Sequence, residues 1–206
     1  MDSQSVLELF RASGAMLEGH FQLSSGLHSD RYFQCALLLE DPARAEQLAV
    51  ELARRMREKA FAGLKKPFDV VIGPALGAVI WAHEVARALG ARCQFTERQD
   101  GKMDLRRGFK LKPGERVLVV EDVLTTGGSV REVLAVVRAS GAVPVGVAAI
   151  VNRSPGAQPF ADEGLAFTAL AHLPVESWEP RACPVCASGS GGAAVKPGSR
   201  ARAAAS

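Results

Sequence analysis

Two adjacent carboxylates, Glu121 and Asp122, stand just before a run of small residues, Thr125, Thr126, Gly127, Gly128 and Ser129, within the stretch VLVVEDVLTTGGSV (117–130). A turn of Gly, Ser and Thr at the start of a helix presents backbone N–H groups and hydroxyls beside the positive end of the helix dipole, with no bulky side chain in the way. That chemistry suits a phosphate. A carboxylate pair can in addition accept hydrogen bonds from sugar hydroxyls, so acids and turn together fit a phosphorylated ribose. The two familiar glycine-rich nucleotide loops do not fit, because one needs a lysine after its last glycine and the other needs G-x-G-x-x-G. Taken as an isolated loop, the same residues also read as acids ending a strand beside a solvated turn.

A second candidate region is basic. From Arg98 to Arg116 there are seven cations (Arg98, Lys102, Arg106, Arg107, Lys110, Lys112, Arg116) against three acids (Asp100, Asp104, Glu115). This pattern fits an anionic partner, or else a solvated loop face. Of the four cysteines, Cys35 and Cys93 sit in apolar surroundings and read as core residues, whereas Cys183 and Cys186 form a CPVC knuckle. One CxxC supplies two of the four ligands of a structural zinc site, so a zinc reading needs a second pair, from a partner chain. The other reading is a small turn capped by thiols.

The elements that must position these residues follow from periodicity. SVLELFRASGAM, from Ser5, has helical spacing and stops at Gly14, and the stretch 18–42 suggests two short strands about a Ser-Ser-Gly turn. Asp41 caps a helix with Pro42 at its first position, and Leu48, Leu52 and Met56 form its apolar face. From there strand, turn and helix alternate: strands at 69–73, 92–98, 116–122 and 145–153, helices at 78–90 and about 129–139, and an edge strand at 165–173. That order predicts a parallel sheet with crossover helices, and it places the acids and the small-residue turn where open sheets put ligands. The basic stretch after 98 has no apolar period and reads as a mobile loop.

At 206 residues, 48% of them hydrophobic, the chain suffices for one α/β domain with a full core, and the formal net charge of +3 is too small and scattered for a nucleic-acid stripe. Glu8, Arg11 and Glu18 interrupt any signal-peptide core, and no apolar stretch reaches membrane-span length, so a cytoplasmic protein without membrane or nucleic-acid partners is expected. The expected organisation is a single domain over 1–186, with an N-terminal hood at about 1–40 and a core at about 41–175. Residues 187–206 are low in complexity and expected to be disordered.

VLVVEDVLTTGGS resembles the signature of the type I phosphoribosyltransferases, which bind 5-phosphoribosyl 1-diphosphate (PRPP). GHFQLSSGLHSDRYF (19–33), GPALGAVIWA (73–82), FTERQDGKMDLRRGF (95–109), AAIVNRSPG (148–156) and ACPVC with VKPGSR resemble, in colinear order, segments of orotate phosphoribosyltransferases of the bacterial short-loop branch. The resemblance implies the type I fold: a central, mostly parallel sheet flanked by helices, with a small N-terminal hood. It implies transfer of phosphoribose from PRPP to orotate in pyrimidine biosynthesis, with a purine-base transferase or a PRPP-sensing regulator as alternatives.

By the same resemblance Glu121 and Asp122 hold the ribose hydroxyls, the 123–129 turn (Val123, Leu124, Thr125, Thr126, Gly127, Gly128, Ser129) binds PRPP, and Pro74, Ala75, Leu76 and Gly77 form the pyrophosphate loop. Thr125, Arg153, Tyr32 and Phe33 bind orotate, and Lys102, then Arg98, are the candidate catalytic cations. For Arg153 the residues agree, since a guanidinium ending a buried strand matches a carboxylate in bidentate geometry. The resemblance also implies Mg2+, held mainly through PRPP and water with no direct protein ligand, and a homodimer with shared sites. The chain departs from it at Ser24, where a lysine is usual, and in a shorter loop that lacks histidine.

Overall fold

The computed structural model describes residues 1–23, 25–58, 61–64, 66–174 and 176–197. Ser24 therefore lies outside the described residues. In chain order the elements are α1 (Ser3–Ala12), β1 (Met16–Gln22), β2 (His28–Phe33), α2 (Cys35–Leu39), α3 (Pro42–Glu58), β3 (Val70–Pro74), α4 (Ala78–Leu89), β4 (Arg92–Gln99), β5 (Lys102–Leu105), β6 (Arg116–Leu124), α5 (Gly128–Ala139), β7 (Val143–Asn152), β8 (Ala166–His172) and α6 (Pro184–Ser188). Six strands form one sheet in the order β5-β4-β3-β6-β7-β8. Every pairing in it is parallel except β4 with β5.

Strand alternation divides the core into two layers. Val71, Leu118 and Val120 face α1 to α4, while Val70, Ile72, Val117 and Val119 face α5. All five residues of β3 are buried, as expected of a parallel strand covered on both faces. Helix boundaries follow local chemistry. The Asp41 carboxylate accepts the Ala43 N–H at 3.0 Å ahead of α3, and Gly90 ends α4 in the left-handed conformation. β6 is central, and β8 lies at the edge as the sequence pattern requires.

Two expectations are corrected. The segment after Arg98, expected as a mobile loop without strand structure, opens with a β-hairpin that runs to Leu105: Gln99 pairs with Lys102 across Asp100 and Gly101, both at positive φ (49° and 80°). An Asp-Gly pair in that geometry is a tight hairpin turn whose twist matches its strands. The chain after 186 is likewise bonded in its first part. Gln22 N–H donates to the Val195 carbonyl, and Val195 N–H to the His20 carbonyl, both at 2.8 Å. Backbone groups do this work, so side-chain composition gives no sign of it. Trp178 and His28 exchange a similar backbone pair at 2.8 and 2.9 Å, and the C-terminal segment thus lies along both strands of the β1–β2 hairpin.

Candidate functional site

Glu121 and Asp122 lie near the carboxyl end of β6, between β3 and β7. The turn after β3 closes on them, for a Cβ on Gly77 would sit 2.9 Å from Asp122 Oδ2. Only glycine lets the 74–77 backbone approach so near a carboxylate. Pro74 is buried, the Ala75 N–H donates to the Thr96 carbonyl at 2.7 Å, the Ala75–Leu76 peptide is cis, and Leu76 is exposed. Around the acids hydrogen bonds are few: Asp122 Oδ1 accepts the Val123 N–H at 2.8 Å, and Glu121 Oε1 accepts the Asp122 N–H at 3.3 Å. Burial first, and then the Asp122 charge, push the Glu121 carboxyl up to about 9. Burial and the same aspartate also raise Tyr32 and the Cys35 thiol, which border the pair. Such a crowded anionic centre fits hydroxyl donors or a divalent cation.

The small-residue turn follows. Gly127 is left-handed at φ +77°, where a Cβ would lie 2.9 Å from Arg131 Nη1 and 3.1 Å from Phe160 Cζ. Arg131 buttresses the turn by donating to the Thr126 carbonyl at 3.1 Å and the Pro159 carbonyl at 2.9 Å, with its guanidinium 4.9 Å from the Phe160 ring centroid. No side chain caps α5. Its first N–H groups point into the turn, as anion binding requires. Sequence reasoning missed Arg131. The available signal was a cation in the first turns of a helix, where the dipole disfavours it unless an anion or a carbonyl cluster is near.

Beside the turn a cleft of about 750 Å³ is lined by Leu27, Thr125, Thr126, Arg153, Glu176 and Trp178 among others. A smaller cavity of about 170 Å³ adjoins it through Thr125 and Arg153, and adds Tyr32, Phe33 and Val123. Arg153 follows β7, its N–H donating to the Leu124 carbonyl at 2.8 Å. Its guanidinium donates to Ser29 Oγ at 3.0 Å and lies 5.3 Å from the Phe33 ring centroid, while its buried Nε has no partner among the described residues. Burial lowers its pKa. A buried guanidinium with spare donors, in a cleft walled by apolar and aromatic groups, is complementary to a flat anion. Of the turn residues, Leu124 faces away, its side chain buried against α5, so it supports the site through its carbonyl alone.

Residues 39–164 match the phosphoribosyl transferase domain family. Over 200 residues the chain is 53% identical to the orotate phosphoribosyltransferase of Pelotomaculum thermopropionicum, covering 97% of this chain and 99% of that one. The chain belongs to the orotate phosphoribosyltransferase family. The relative from Heliobacterium modesticaldum is 51% identical, with 97% and 100% covered. Among solved structures, the orotate phosphoribosyltransferase of Mycobacterium tuberculosis in complex with inorganic phosphate superposes with a TM-score of 0.60 at 30% identity, covering 84% of this chain and 96% of that one. The fold is that of the type I phosphoribosyltransferases. Among the described residues no helix is long and apolar enough to cross a membrane.

Within this orotate phosphoribosyltransferase fold the acid pair, the 74–77 turn, the 125–129 turn, Tyr32, Phe33 and Arg153 come together, but the two candidate cations do not join them. Arg98 pairs with Glu132 at 2.8 Å on the outer side of α5. Lys102 lines a separate cleft of about 870 Å³ between the β4–β5 hairpin and α5, which shares no lining residue with the Arg153 pocket. Arg107 is engaged as a latch, donating twice to Glu97 at 2.8 Å.

Proposed function

We propose that the protein transfers the 5-phosphoribosyl group of PRPP to N1 of orotate, giving orotidine 5'-monophosphate and pyrophosphate, in the cytoplasmic synthesis of pyrimidine nucleotides. The observation that carries this reading is Arg153, whose buried, partly unpartnered guanidinium opens onto the cleft shared with Thr125. A carboxylate-bearing pyrimidine uses those donors, whereas a purine base leaves them unpaired at a cost of about 1–3 kcal/mol.

In the reaction the bond from C1 of the ribose to the pyrophosphate oxygen breaks and the bond to orotate N1 forms. Glu121 and Asp122 hold the ribose hydroxyls and fix C1 facing the base, and the 125–129 turn anchors the 5-phosphate through backbone N–H groups. Gly77 keeps the 74–77 backbone close to Asp122; with Pro74 lacking an N–H and that of Ala75 donating to the Thr96 carbonyl, the Leu76 and Gly77 N–H groups are the donors offered to the leaving group. Beside the Glu121–Asp122 pair, Mg2+ held mainly through PRPP and water would supply charge neutralisation for the departing pyrophosphate. Lys102 is the foremost candidate for a protein cation at that point, followed by Arg98. Since Arg98 pairs with Glu132 and Lys102 lines a cleft that shares no residue with the Arg153 pocket, we assign the hairpin to the site of the neighbouring subunit in a homodimer.

Loss of orotate absorbance on adding PRPP and Mg2+, with adenine and hypoxanthine unreactive, is the expected result, and the reverse preference overturns the assignment. Lys102→Ala is expected to lower kcat far more than PRPP affinity; equal losses in both would mean ground-state binding alone. Dimers mixing a hairpin variant with an Arg153 variant should regain activity if sites are shared.

A further inference from the structure

Four ligand-type atoms converge where the C-terminal segment meets the hood. His20 on β1, His28 on β2, and Cys183 and Cys186 of the CPVC turn each offer one, and all four atoms lie within 4.8 Å of one another. His20 Nε2 is 3.0 Å from His28 Nδ1 and 3.5 Å from each of the two sulfurs, and Cys186 Sγ is 3.3 Å from His28 Nδ1. A tetrahedral zinc ion with Zn–N near 2.0–2.1 Å and Zn–S near 2.3 Å spaces its ligands at about 3.3–3.4 Å for N···N and about 3.5–3.6 Å for N···S. Of the six separations these four fall within about 0.4 Å of those edges, and all six lie within 4.8 Å. Hydrogen bonding alone does not account for the cluster, because one ring nitrogen makes one such bond and His20 Nε2 has three close neighbours.

The surroundings point the same way. His20 Nδ1 lies 2.8 Å from the Gly192 carbonyl, so the proton sits there and the Nε2 lone pair turns to the centre of the cluster, as outer-shell partners of metal-bound histidines arrange. At Gly191 a Cβ would lie 2.4 Å from Val185 Cγ1 and 3.0 Å from His20 Cβ, so glycine is what allows the chain to close over the imidazole. Three of the four residues are buried. The sequence reading sought the second ligand pair in a partner chain; the hairpin of the same chain supplies it.

We propose that His20, His28, Cys183 and Cys186 form a closed structural zinc site that staples the C-terminal segment to the hood. The site is separate from any Mg2+ bound with PRPP, and four protein ligands leave no open position for chemistry. Its effect on the pocket is indirect: Trp178, whose backbone pairs with His28, lines the Arg153 cleft. In the unfolded chain the four ligands are scattered, so binding free energy becomes folding free energy.

The test uses the full chain, expressed without a histidine tag and purified under reductant, with metal measured by plasma mass spectrometry. About one zinc per chain is expected. Co2+ in its place should give the visible spectrum of a tetrahedral thiolate site. Cys186→Ser, at the most exposed ligand, should keep the native circular dichroism, lose stoichiometric zinc and no longer gain thermal stability when zinc is added. Zinc-supplied wild-type protein that is folded but holds below roughly 0.1 equivalent overturns the proposal, as does recovery of a metal-free Cys183–Cys186 disulfide as the native state.

Discussion

Glu51 and Glu121 are both glutamates taken largely out of water, and the molecule treats them in opposite ways. Glu51, on α3, accepts two hydrogen bonds from Arg54 at 2.9 Å and one from Arg55 at 2.8 Å, and the N-terminal ammonium lies 3.5 Å away. Arg55 then donates to the carbonyls of Ala169, Leu170 and Met1, tying α3 to the edge strand and the N-terminus. The Arg54 hydrogen bonds foremost, then those of Arg55, hold the Glu51 carboxyl down at about 2. Glu121 has an aspartate for a neighbour and one long hydrogen bond from the next amide. The contrast is between two treatments of a carboxyl: Arg54 and Arg55 hold Glu51 as a satisfied charge, whereas burial and the neighbouring Asp122 hold the proton on Glu121, the pattern expected where a ligand completes the site.

The largest effect is expected from breaking the satisfied member. Glu51→Gln leaves Arg55 short of its partner and costs about 3 kcal/mol, the lower end of what breaking a buried pair costs. For a chain of this size that lowers Tm by roughly 6–12 °C, with kcat nearly unchanged, as calorimetry beside the orotate assay would establish. Because the folded carboxyl lies below its ordinary 4.5, its contribution is complete above that value and fades as pH falls toward about 2. The deficit of the variant should therefore shrink in acid.

Glu121→Gln sharpens the comparison with the opposite signs. Loss of a carboxyl partner that keeps its proton up to about pH 9 should weaken PRPP by roughly 2- to 12-fold, from about 0.5–1.5 kcal/mol for an uncharged hydrogen bond. Between pH 4.5 and about 9 the folded wild type keeps a proton that the unfolded chain has released, so this group's contribution to stability is lost as pH rises through that window. Glutamine has no proton to release. The variant should melt above the wild type at pH 8 and converge with it near pH 4.5. A variant that binds PRPP normally and melts lower at pH 8 would mean that Glu121 belongs to the architecture.

Much of this was legible from local pattern. The strand VLVVED, its turn and α5 could be read in place because alternation, glycine and helical period all operate within a few residues, and the 78–90 helix ends at Gly90 for the same reason. The Asp100–Gly101 hairpin was equally local but was masked by polar flanks, Arg98 and Gln99 before it and Lys102 after, which hide the strand alternation. What no local pattern conveys is convergence over distance. Ser29 and Arg153 meet across 124 residues, and His20 and Cys183 across 163, so in each case one half of the cluster was visible without the other.

Gly127 probes the small-residue turn beside the acid pair, with a smaller effect than at Glu51. Alanine at φ +77° costs about 1–2 kcal/mol in backbone strain alone. Its Cβ would also push on Arg131 and Phe160, so the turn should move and PRPP affinity should fall along with Tm. Gly128, not left-handed and with only Thr126 Oγ1 near its Cβ position at 3.7 Å, is the control, where alanine should be tolerated structurally.

The smallest structural effect is expected at the hairpin latch. Arg107 donates twice to Glu97 at 2.8 Å and its guanidinium lies 5.9 Å from the Phe95 ring centroid, yet its side chain is 63% exposed. Solvent and salt screen such a pair, so Arg107→Ala should leave Tm within experimental scatter. Arg107 also sits at φ +57°, a strain that alanine keeps and glycine relieves. Arg107→Gly should then melt slightly above Arg107→Ala, separating backbone strain from the ion pair. If turnover drops in both while stability holds, Arg107 sides with Glu121 as a group whose partner comes from the reaction. If turnover holds, it sides with Glu51 and only shapes the hairpin that carries Lys102.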